Sequence, residues 1–235
     1  MTKMALVDTP SAVDIERLSP DREHQAGLAL VPAGSAAYGR TKRVLDVAFS
    51  ALLLVLLAAP MLVIAALVKL TSRGPVFFRQ MRAGANGQPF EMVKFRTMYE
   101  GAEQDREYLA HRNEQSGPVF KIAEDPRITR LGRFLRRSSI DELPQLLNVL
   151  RGQMSIVGPR PLPLDEAQQA DGPARLRTTV KPGLTCLWQI SGRNDLAYSE
   201  WVRLDLYYIR HRSTLLDMLI VVQTIPAVLT GRGAY

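Results

Sequence analysis

The apolar residues of the chain are concentrated in one long segment. Residues 47–68 contain no charged side chain, and Asp46 and Lys69 flank them. Thirteen of these 22 residues are Leu, Val, Ile or Phe, so transfer into lipid would be favourable by about 4–8 kcal/mol on an insertion scale. As a helix the segment would measure roughly 33 Å, just enough to cross the hydrocarbon of a bilayer. The pattern predicts a membrane-embedded helix, with a buried core helix as the alternative.

Pro60 interrupts this segment and affects how it could lie in a membrane. Proline lacks the amide that would bond the carbonyl of Leu56, so a membrane break is expected at Pro60. Both flanks of the segment are basic, and positive charge prefers the cytoplasmic side of a membrane. A hairpin that enters and leaves by one face keeps both flanks cytoplasmic, whereas a straight span does not. From the residues alone, the re-entrant and the spanning arrangements both stay open.

The rest of the chain divides around this segment. Residues 1–40 mix small residues, prolines and charges without a sustained period, which predicts a flexible N-terminal tail. The predicted membrane segment, a hairpin if it is re-entrant, takes residues 41–72, and a basic, soluble domain takes 73–235. At its end the apolar stretch 215–229 is interrupted by Asp217, Gln223 and Pro226, which favours an interfacial helix over a second span.

Periodic patterns in the soluble domain predict mainly helices. These patterns lie near residues 99–115, 127–137, 141–151 and 196–211. Apolar runs at 76–78 and 90–95 flank the turn signal Asn86-Gly87 and predict short strands joined as a β-hairpin.

Composition and charge limit the partners and the metal sites that the chain could have. The chain has 30 Lys and Arg against 23 Asp and Glu, a formal charge of +7. This balance predicts an anionic partner: a phosphorylated small molecule, an anionic membrane or nucleic acid. The single cysteine, Cys186, excludes an intramolecular disulfide and a multi-cysteine zinc site. The three histidines show no paired spacing for a metal.

Two adjacent carboxylates, Asp141 and Glu142, stand at a predicted helix start. Ser139 and Glu142 fit a capping box, which would be a purely structural role. The alternative is chemical, because Asp141 would lie in the positive end of the helix dipole beside Arg136 and Arg137. A carboxylate held ionised in that way suits a nucleophile or a metal ligand. Adjacent residues cannot flank a glycosidic bond from opposite faces, which argues against a two-carboxylate glycosidase.

Arginines recur every third residue before this site, at positions 127, 130, 133 and 136–137. They form either a solvated or lipid-facing stripe or a phosphate clamp, since guanidinium binds phosphate oxygens bidentately. The segment Gly158-Pro159-Arg160-Pro161 is a rigid turn that presents one arginine. It is either an ordinary connection or a phosphate-binding turn. The sequence contains no P-loop, dinucleotide glycine motif or Ser-His-Asp order.

Five motifs occur in an order that identifies a family. They are KFRTM at 94–98, SIDELPQ at 139–145, GQMSIVGPRP at 152–161, KPG at 181–183 and QISGRND at 189–195. From about Thr41 to the C-terminus the chain resembles the bacterial sugar transferases, the monotopic polyprenyl-phosphate phosphoglycosyl transferases that initiate exopolysaccharide, capsule and O-antigen assembly.

This resemblance implies a fold and a location. The fold is mainly α with minor β (α+β). It combines a re-entrant membrane helix broken at Pro60 with a compact catalytic domain on the cytoplasmic face of the bacterial inner membrane. The resemblance also implies a reaction with two anionic partners, a UDP-sugar donor and undecaprenyl phosphate, and no nucleic acid. The oligomeric state stays open, with a homodimer as one option.

The resemblance also implies roles for individual residues. Asp141 would attack the β-phosphorus of the UDP-sugar, release UMP and hold the sugar phosphate until the lipid phosphate displaces it. Glu142 would be the Mg²⁺ ligand, and Arg160 would bind phosphate. Further candidates for substrate phosphate binding or other polar roles are Lys94, Arg96, Arg136, Arg137, Arg193 and Asp195.

The sequence departs from the family pattern at two positions. Ala59 stands where a serine often precedes the membrane proline, and Cys186 stands where glycine is usual. Trp188 resembles the version found in hexose-1-phosphate transferases, which indicates glucose or galactose as the sugar. The rival hypotheses are a membrane-anchored adaptor for anionic lipid or nucleic acid, and a transferase that passes the sugar without its phosphate and releases UDP.

Overall fold

The apolar segment folds as a bent pair of helices. The computed structural model describes residues 35–231 and 233, and α1 (Ala36–Leu56) meets α2 (Ala58–Thr71) at an angle of 64°. Pro60 lies in the first turn of α2, where amides have no intrahelical partner, so the helix is interrupted just before the proline, as its missing amide predicts. Neither helix alone is long and apolar enough to cross a membrane, and the bent pair together has the length and composition of a broken span or a re-entrant loop.

The start of α1 is set by Ser35. Its hydroxyl accepts a hydrogen bond from the amide of Tyr38 at 3.1 Å and caps the helix. Residues 36–40, which the sequence pattern assigned to the tail, therefore belong to α1. The remainder of the predicted tail, residues 1–34, lies outside the described residues.

The hairpin predicted around Asn86-Gly87 is confirmed. Strands β1 (Phe77–Ala83) and β2 (Pro89–Phe95) pair antiparallel, with Phe77 opposite Phe95. Asn86 and Gly87 have φ angles of 55° and 74°, a left-handed conformation that asparagine and glycine tolerate. The hairpin carries Lys94 to one wall of the candidate site.

The remaining described chain is mostly helical. Its larger elements are α3 (Arg130–Arg137), the 3₁₀ helix Ile140–Gln145, α4 (Leu146–Leu150), β3 (Ser155–Val157), α5 (Leu164–Gln169), β4 (Gly183–Thr185), α6 (Leu187–Ser191), α7 (Tyr198–His211) and α8 (Thr214–Thr230). Short 3₁₀ helices lie at Ala85–Gly87, Ala110–Arg112, Gly172–Thr179 and Arg193–Asp195. Strands β3 and β4 pair in parallel. A mostly helical chain with two small sheets agrees with the predicted α+β class.

The helix predicted near 99–115 is wrong. Gly101 has a φ of 85°, and the next amides bond three residues back, such as Gln104 to the carbonyl of Gly101 at 2.9 Å. Turns and one short 3₁₀ helix result instead of an α-helix. The pattern at 141–151 becomes a 3₁₀ helix followed by α4, because Pro144 supplies no amide. The patterns at 127–137, 196–211 and 215–229 are confirmed as helices α3, α7 and α8.

Side-chain hydrogen bonds attach helix α1 to two segments of the soluble domain. The guanidinium of Arg43 donates to the carbonyls of Val149 and Leu150, at 2.7 and 2.8 Å. The carboxylate of Asp46 accepts from the Ser155 hydroxyl at 3.0 Å and from the next amide at 2.9 Å. These bonds join α1 to the end of α4 and to β3. A separate core of α2, β2 and α3 buries Val68, Phe95 and Leu135.

Candidate active site

A cavity of about 470 Å³ brings together residues that are far apart in the sequence. Its walls come from the β1–β2 hairpin, the 3₁₀ helix Ile140–Gln145, residues 119–122, residues 160–163 and α6. Seven of the eight predicted catalytic and phosphate-binding residues line it, namely Lys94, Arg96, Arg136, Asp141, Glu142, Arg160 and Arg193. The lining carries nine basic and six acidic side chains, so it suits an anionic ligand.

Asp141 is delivered to the cavity by a strained turn. Ser139 has a φ of 56°, a left-handed conformation that costs about 1–3 kcal/mol for a residue other than glycine. The side chain of Ser139 makes no capping bond, so the capping box suggested by Ser139 and Glu142 is not formed. Instead, two consecutive carboxylates enter the cavity, and Asp141 is only 5% exposed.

Opposing effects determine the pKa of Asp141. Burial raises the pKa of its carboxyl to about 6, and the charge of Glu142 acts in the same direction. Lys94, Arg136 and Arg160 lower that pKa and offset part of the shift. A carboxyl with a pKa near 6 is about nine-tenths ionised at pH 7. The predicted ionised state therefore holds at neutral pH, although burial makes it sensitive to acid.

Arg160 pairs with Glu142 across the cavity wall. Two of its guanidinium nitrogens donate to the two carboxylate oxygens, one of them at 3.2 Å. Burial raises the pKa of Glu142, but the charge and hydrogen bonds of Arg160 outweigh it and keep that pKa below its ordinary value. The pair is therefore ionised, and it stands beside Asp141.

Close backbone packing fixes the turn that carries Arg160. A Cβ atom on Gly158 would lie 2.5 Å from the carbonyl oxygen of Lys181, a distance that real side chains do not adopt. The amide of Gly158 donates to the carbonyl of Thr185 at 3.0 Å. The KPG motif therefore packs directly against the GPRP motif, which explains why both need glycine.

Lys94 and Arg136 supply positive charge next to Asp141. Burial and the charge of Arg136 lower the pKa of Lys94 to about 8, and Asp141 partly offsets this shift. The Nζ atom of Lys94 lies 5.2 Å from the centre of the Phe78 ring. Arg136 reaches the cavity from the end of α3, where its Nε donates to the Thr97 hydroxyl at 2.9 Å. Contacts with neighbouring side chains therefore hold both cations in place at the cavity.

Three residues that the sequence suggested for the site either make structural contacts or lie outside the cavity. Arg96 lines the cavity, but its guanidinium bonds the carbonyls of Ser72 and Arg73 and so ties the end of α2 to β2. Arg137 is exposed, does not line the cavity, and lies against Gly231. Asp195 is exposed and is likewise absent from the lining. The phosphate-binding role proposed for Arg137 is therefore not supported, because the last turn of α3 directs it away.

The arginine stripe before the site divides into separate roles. Arg127 is buried and forms an ion pair with Asp125 at 2.7 Å. Arg130 and Arg133 are exposed, whereas Arg136 enters the cavity. A regular spacing of three therefore does not give one continuous clamp, because Arg127 and Arg136 line the cavity whereas the two arginines between them are exposed outside it.

Sequence reasoning missed three cations in the cavity, Arg82, Arg106 and Lys121. Burial lowers the pKa of Arg82 to about 10, and burial with nearby Arg160 lowers that of Lys121 to about 7. Arg82 is one of the basic residues that follow the apolar segment, and Arg106 and Lys121 lie outside the five motifs. No local sequence signal distinguishes them from surface charges, because only the tertiary fold brings them to the site.

The residues could hold a divalent cation in one specific way. Among the described residues, no three His, Cys, Asp or Glu side chains cluster as ligands. Mg²⁺, however, is commonly bound by one or two carboxylates together with substrate phosphates. Asp141 and Glu142 supply two carboxylates at the cavity, so the donor set fits Mg²⁺ completed by a phosphorylated substrate. Glu142 would then share its charge between the metal and Arg160.

Comparison with known proteins identifies the family of the chain. The bacterial sugar transferase family model matches residues 37–231. The exopolysaccharide production protein ExoY of Sinorhizobium fredii is 44% identical over 201 residues, covering 84% of this chain and 89% of the relative. A UDP-glucose:undecaprenyl-phosphate glucose-1-phosphate transferase of Caulobacter vibrioides is 44% identical over 222 residues, covering 88% and 78%. An undecaprenyl-phosphate galactose phosphotransferase of Salmonella typhimurium is 38% identical over 198 residues, covering 83% and 41%. The chain belongs to the bacterial sugar transferase family.

Proposed function

We propose that this protein transfers a hexose 1-phosphate from UDP-glucose or UDP-galactose to undecaprenyl phosphate, as the first membrane step of exopolysaccharide assembly. The observation that carries the proposal is the buried Asp141 beside the Glu142–Arg160 pair, in a cavity with a surplus of positive charge. The relatives named as glucose-1-phosphate and galactose phosphotransferases support the same reaction class.

In the first half-reaction, a carboxylate oxygen of Asp141 attacks the β-phosphorus of the UDP-sugar. The bond between that phosphorus and the bridging oxygen breaks, and UMP leaves with the electron pair. The sugar phosphate stays on Asp141 as an acyl phosphate. Lys94, Arg136 and Arg160 surround the carboxylate and offset the repulsion between it and the anionic diphosphate.

In the second half-reaction, an oxygen of undecaprenyl phosphate attacks the same phosphorus. The bond to Asp141 breaks, the carboxylate is restored, and a lipid diphosphate sugar forms. Two successive displacements keep the two anionic phosphate substrates from having to meet directly. When bound, Mg²⁺ would neutralise charge on the diphosphate, and Glu142 is the residue that we propose as its ligand.

A position at the membrane surface follows from the lipid acceptor, whose long chain stays in the bilayer. Large apolar side chains are exposed on α1, α2 and α8, including Val55, Leu62, Leu70, Leu215 and Leu229. An apolar surface of this kind suits lipid better than water. We propose that the bent pair α1–α2 is re-entrant, that α8 lies at the interface, and that the catalytic domain is cytoplasmic.

Analysis of the nucleotide product tests the proposed reaction. The purified protein in detergent would be supplied with undecaprenyl phosphate, Mg²⁺ and either UDP-glucose or UDP-galactose. We expect UMP and a lipid diphosphate sugar in equal amounts. Release of UDP would instead mean transfer of the sugar without its phosphate. Absence of any nucleotide product with a range of UDP-sugars would favour the adaptor hypothesis.

A substitution tests the metal role of Glu142. Glu142→Gln keeps the size of the side chain but removes its charge, so half-maximal activity should require more Mg²⁺ than in the wild type. The matched control is Glu107→Gln, at an exposed residue outside the cavity. An unchanged Mg²⁺ titration in Glu142→Gln would contradict the ligand role.

A further inference from the structure

Two cations that do not line the active-site cavity converge beside Gly152. A side chain on Gly152 would place its Cβ atom 3.6 Å from the Nη2 atom of Arg43 and 3.7 Å from the Nζ atom of Lys181. Glycine leaves this space open, and its φ of 80° is one that other residues rarely adopt. The free side of Gly152 is therefore a small opening with a positive charge on two sides.

The charges around Lys181 favour an anion at this opening. Burial and the charge of Arg43 lower the pKa of Lys181, and the charge of Asp46 opposes them to a smaller extent. Asp46 is engaged elsewhere, because its carboxylate accepts hydrogen bonds from Ser155 and from the amide of Ile156. None of the hydrogen bonds and ion pairs among the described residues uses the Lys181 ammonium. A bound anion would relieve the repulsion between the two cations.

The guanidinium of Arg43 is held in place at the opening. Two of its nitrogens donate to the carbonyls of Val149 and Leu150 at the end of α4. A guanidinium carries five N–H donors, so these two bonds leave others for a ligand. Arg43 is therefore a fixed donor, whereas the exposed side chain of Lys181 can move toward the same anion.

The opening lies at the level where α1 would enter a bilayer. Arg43 stands four positions before the start of the charge-free run at residue 47, which is about 6 Å along a helix. The neighbouring Val44 and Leu45 are 66% and 43% exposed, as expected for side chains that contact lipid. Phospholipid headgroups lie at the edge of the hydrocarbon, and those of the cytoplasmic leaflet include anionic ones. A lipid phosphate is therefore within reach of both cations.

We propose that Arg43, Lys181 and the open side of Gly152 form a binding site for the phosphate of an anionic phospholipid, separate from the active-site cavity. This inference rests on the proposed function, from which it takes the position of α1 at the membrane. The chemistry would also suit a free phosphate ion. The lipid is the better occupant, because the membrane presents its headgroups at high local concentration beside the exposed apolar residues of α1.

The site is connected to the turn that carries Arg160. Lys181 is the first residue of the KPG motif, and the amide of Gly183 in that motif donates to the carbonyl of Pro159 at 2.9 Å. A lipid phosphate bound to Lys181 would restrict the KPG segment and, through this packing, the turn that presents Arg160. Turnover should therefore depend on the headgroups that surround the protein.

A fluorescent label beside the opening tests the binding. Arg151→Cys in a Cys186→Ser background places a bimane next to Gly152, at an exposed position. The protein would be held in phosphatidylcholine nanodiscs that contain phosphatidylglycerol or phosphatidylcholine spin-labelled near the headgroup end of one acyl chain. We expect phosphatidylglycerol to quench the label at a roughly fivefold lower mole fraction, as for one cation at a membrane surface.

Variants and a competitor identify the residues and the ligand. Lys181→Gln should abolish the preference for phosphatidylglycerol, and Lys181→Arg should retain it. The matched control Arg112→Gln, at an exposed arginine outside the cavity, should also retain it. Equal quenching by the two lipids before substitution, or a preference that persists in Lys181→Gln, would overturn the proposal. Loss of the preference on addition of inorganic phosphate would mean that the free ion occupies the opening, which would overturn the lipid assignment.

Turnover provides a second, independent readout. The rate of UMP release should be roughly threefold higher with phosphatidylglycerol than without it in the wild type and in Lys181→Arg, a part of the expected gain in binding. The two rates should be equal in Lys181→Gln, whose thermal midpoint should match that of the wild type. The same rate ratio in all three proteins would refute the connection to the Arg160 turn. Release of UMP from no UDP-sugar would instead refute the proposed function, while the quenching experiment would still decide whether the lipid binds.

Discussion

Two arginine–carboxylate pairs of the same chemistry lie near each other and have different surroundings. Arg160 and Glu142 face the cavity, with side chains 32% and 16% exposed. Arg177 and Asp205 pair at 2.8 Å in the interior, with side chains 4% and 0% exposed. The two are connected, because Nη2 of Arg177 also donates to the carbonyl oxygen of Arg160 at 3.4 Å.

The difference in access gives the pairs different roles. A phosphate entering the cavity can share or replace the carboxylate partner of Arg160, so this pair can respond to substrate. Arg177 does not line this cavity; its buried side chain links the 3₁₀ helix Gly172–Thr179 to α7. We interpret the buried pair as one that stabilises the fold and the cavity pair as the one that interacts with substrate. Residue type alone does not separate them, whereas location in the fold does.

The largest effect is expected from changing the cavity pair. Arg160→Lys keeps the charge but cannot reproduce a bidentate fork, so turnover should fall by about 10²–10³-fold, as for the loss of an electrostatic stabiliser of the transition state. The thermal midpoint should change little. The matched control, Arg133→Lys at an exposed position, should retain full turnover. Near wild-type turnover in Arg160→Lys would reduce the GPRP turn to a structural element.

The buried pair should show the opposite behaviour. Arg177→Met leaves Asp205 buried without its partner, which costs about 3–5 kcal/mol of stability for a broken internal pair. Thermal unfolding in detergent would measure the loss as a lower midpoint. The double variant Arg177→Met/Asp205→Leu removes the orphaned carboxyl and should recover most of it. If the single variant unfolds like the wild type, the pair does not support the fold.

As the pH is lowered, activity should fall before the protein loses stability. Protonation of Asp141 removes the nucleophile, so kcat/KM should fall as pH drops through about 6, by about tenfold per unit below that. Burial also raises the pKa of Asp205 from its usual 3.8 to about 6, with Arg177 opposing the shift. A carboxyl with a raised folded-state pKa binds protons more readily when folded, so this residue adds stability as pH falls from 6 toward 4. Parallel activity and unfolding curves would contradict this separation.

The smallest effect on chemistry is expected from Pro60→Leu, which restores an amide and favours a straight helix. Single cysteines at Ala37 and Gln104 in a Cys186→Ser background would be treated in intact cells with an impermeant thiol reagent. Both should be protected when Pro60 is present, and the cysteine at residue 37 should become accessible in the Pro60→Leu variant. Labelling at residue 37 alone with Pro60 in place would mean that the helices span the membrane.

Features set by local chemistry were predictable from the sequence. Pro60 lacks an amide wherever the chain folds, and Asn86-Gly87 favours one turn type, so the helix break and the hairpin were both expected. The five motifs likewise identified Asp141, Glu142 and Arg160, which the fold brings into one cavity. These predictions needed only neighbouring residues or the resemblance to the family.

Features set by distant contacts were not predictable. The capping box at Ser139 was locally reasonable, but Glu142 pairs with Arg160, 18 positions away, instead. Arg136 and Arg137 are adjacent, yet α3 directs one into the cavity and leaves the other exposed. Lys121 carried no local signal at all. In each case the partner comes from another element, so only the assembled fold decides the role.

Direct capture of the intermediate tests the central claim, that Asp141 is the nucleophile. The wild-type protein would be incubated with UDP-glucose or UDP-galactose and Mg²⁺, without undecaprenyl phosphate, then quenched and digested for peptide mass spectrometry. We expect one hexose phosphate on the peptide that contains Asp141, with release of an equal amount of UMP. The Asp141→Asn variant should fold, bind UMP and carry no adduct. A hexose phosphate mapped to any other residue, or an adduct that persists in Asp141→Asn, would contradict the assignment.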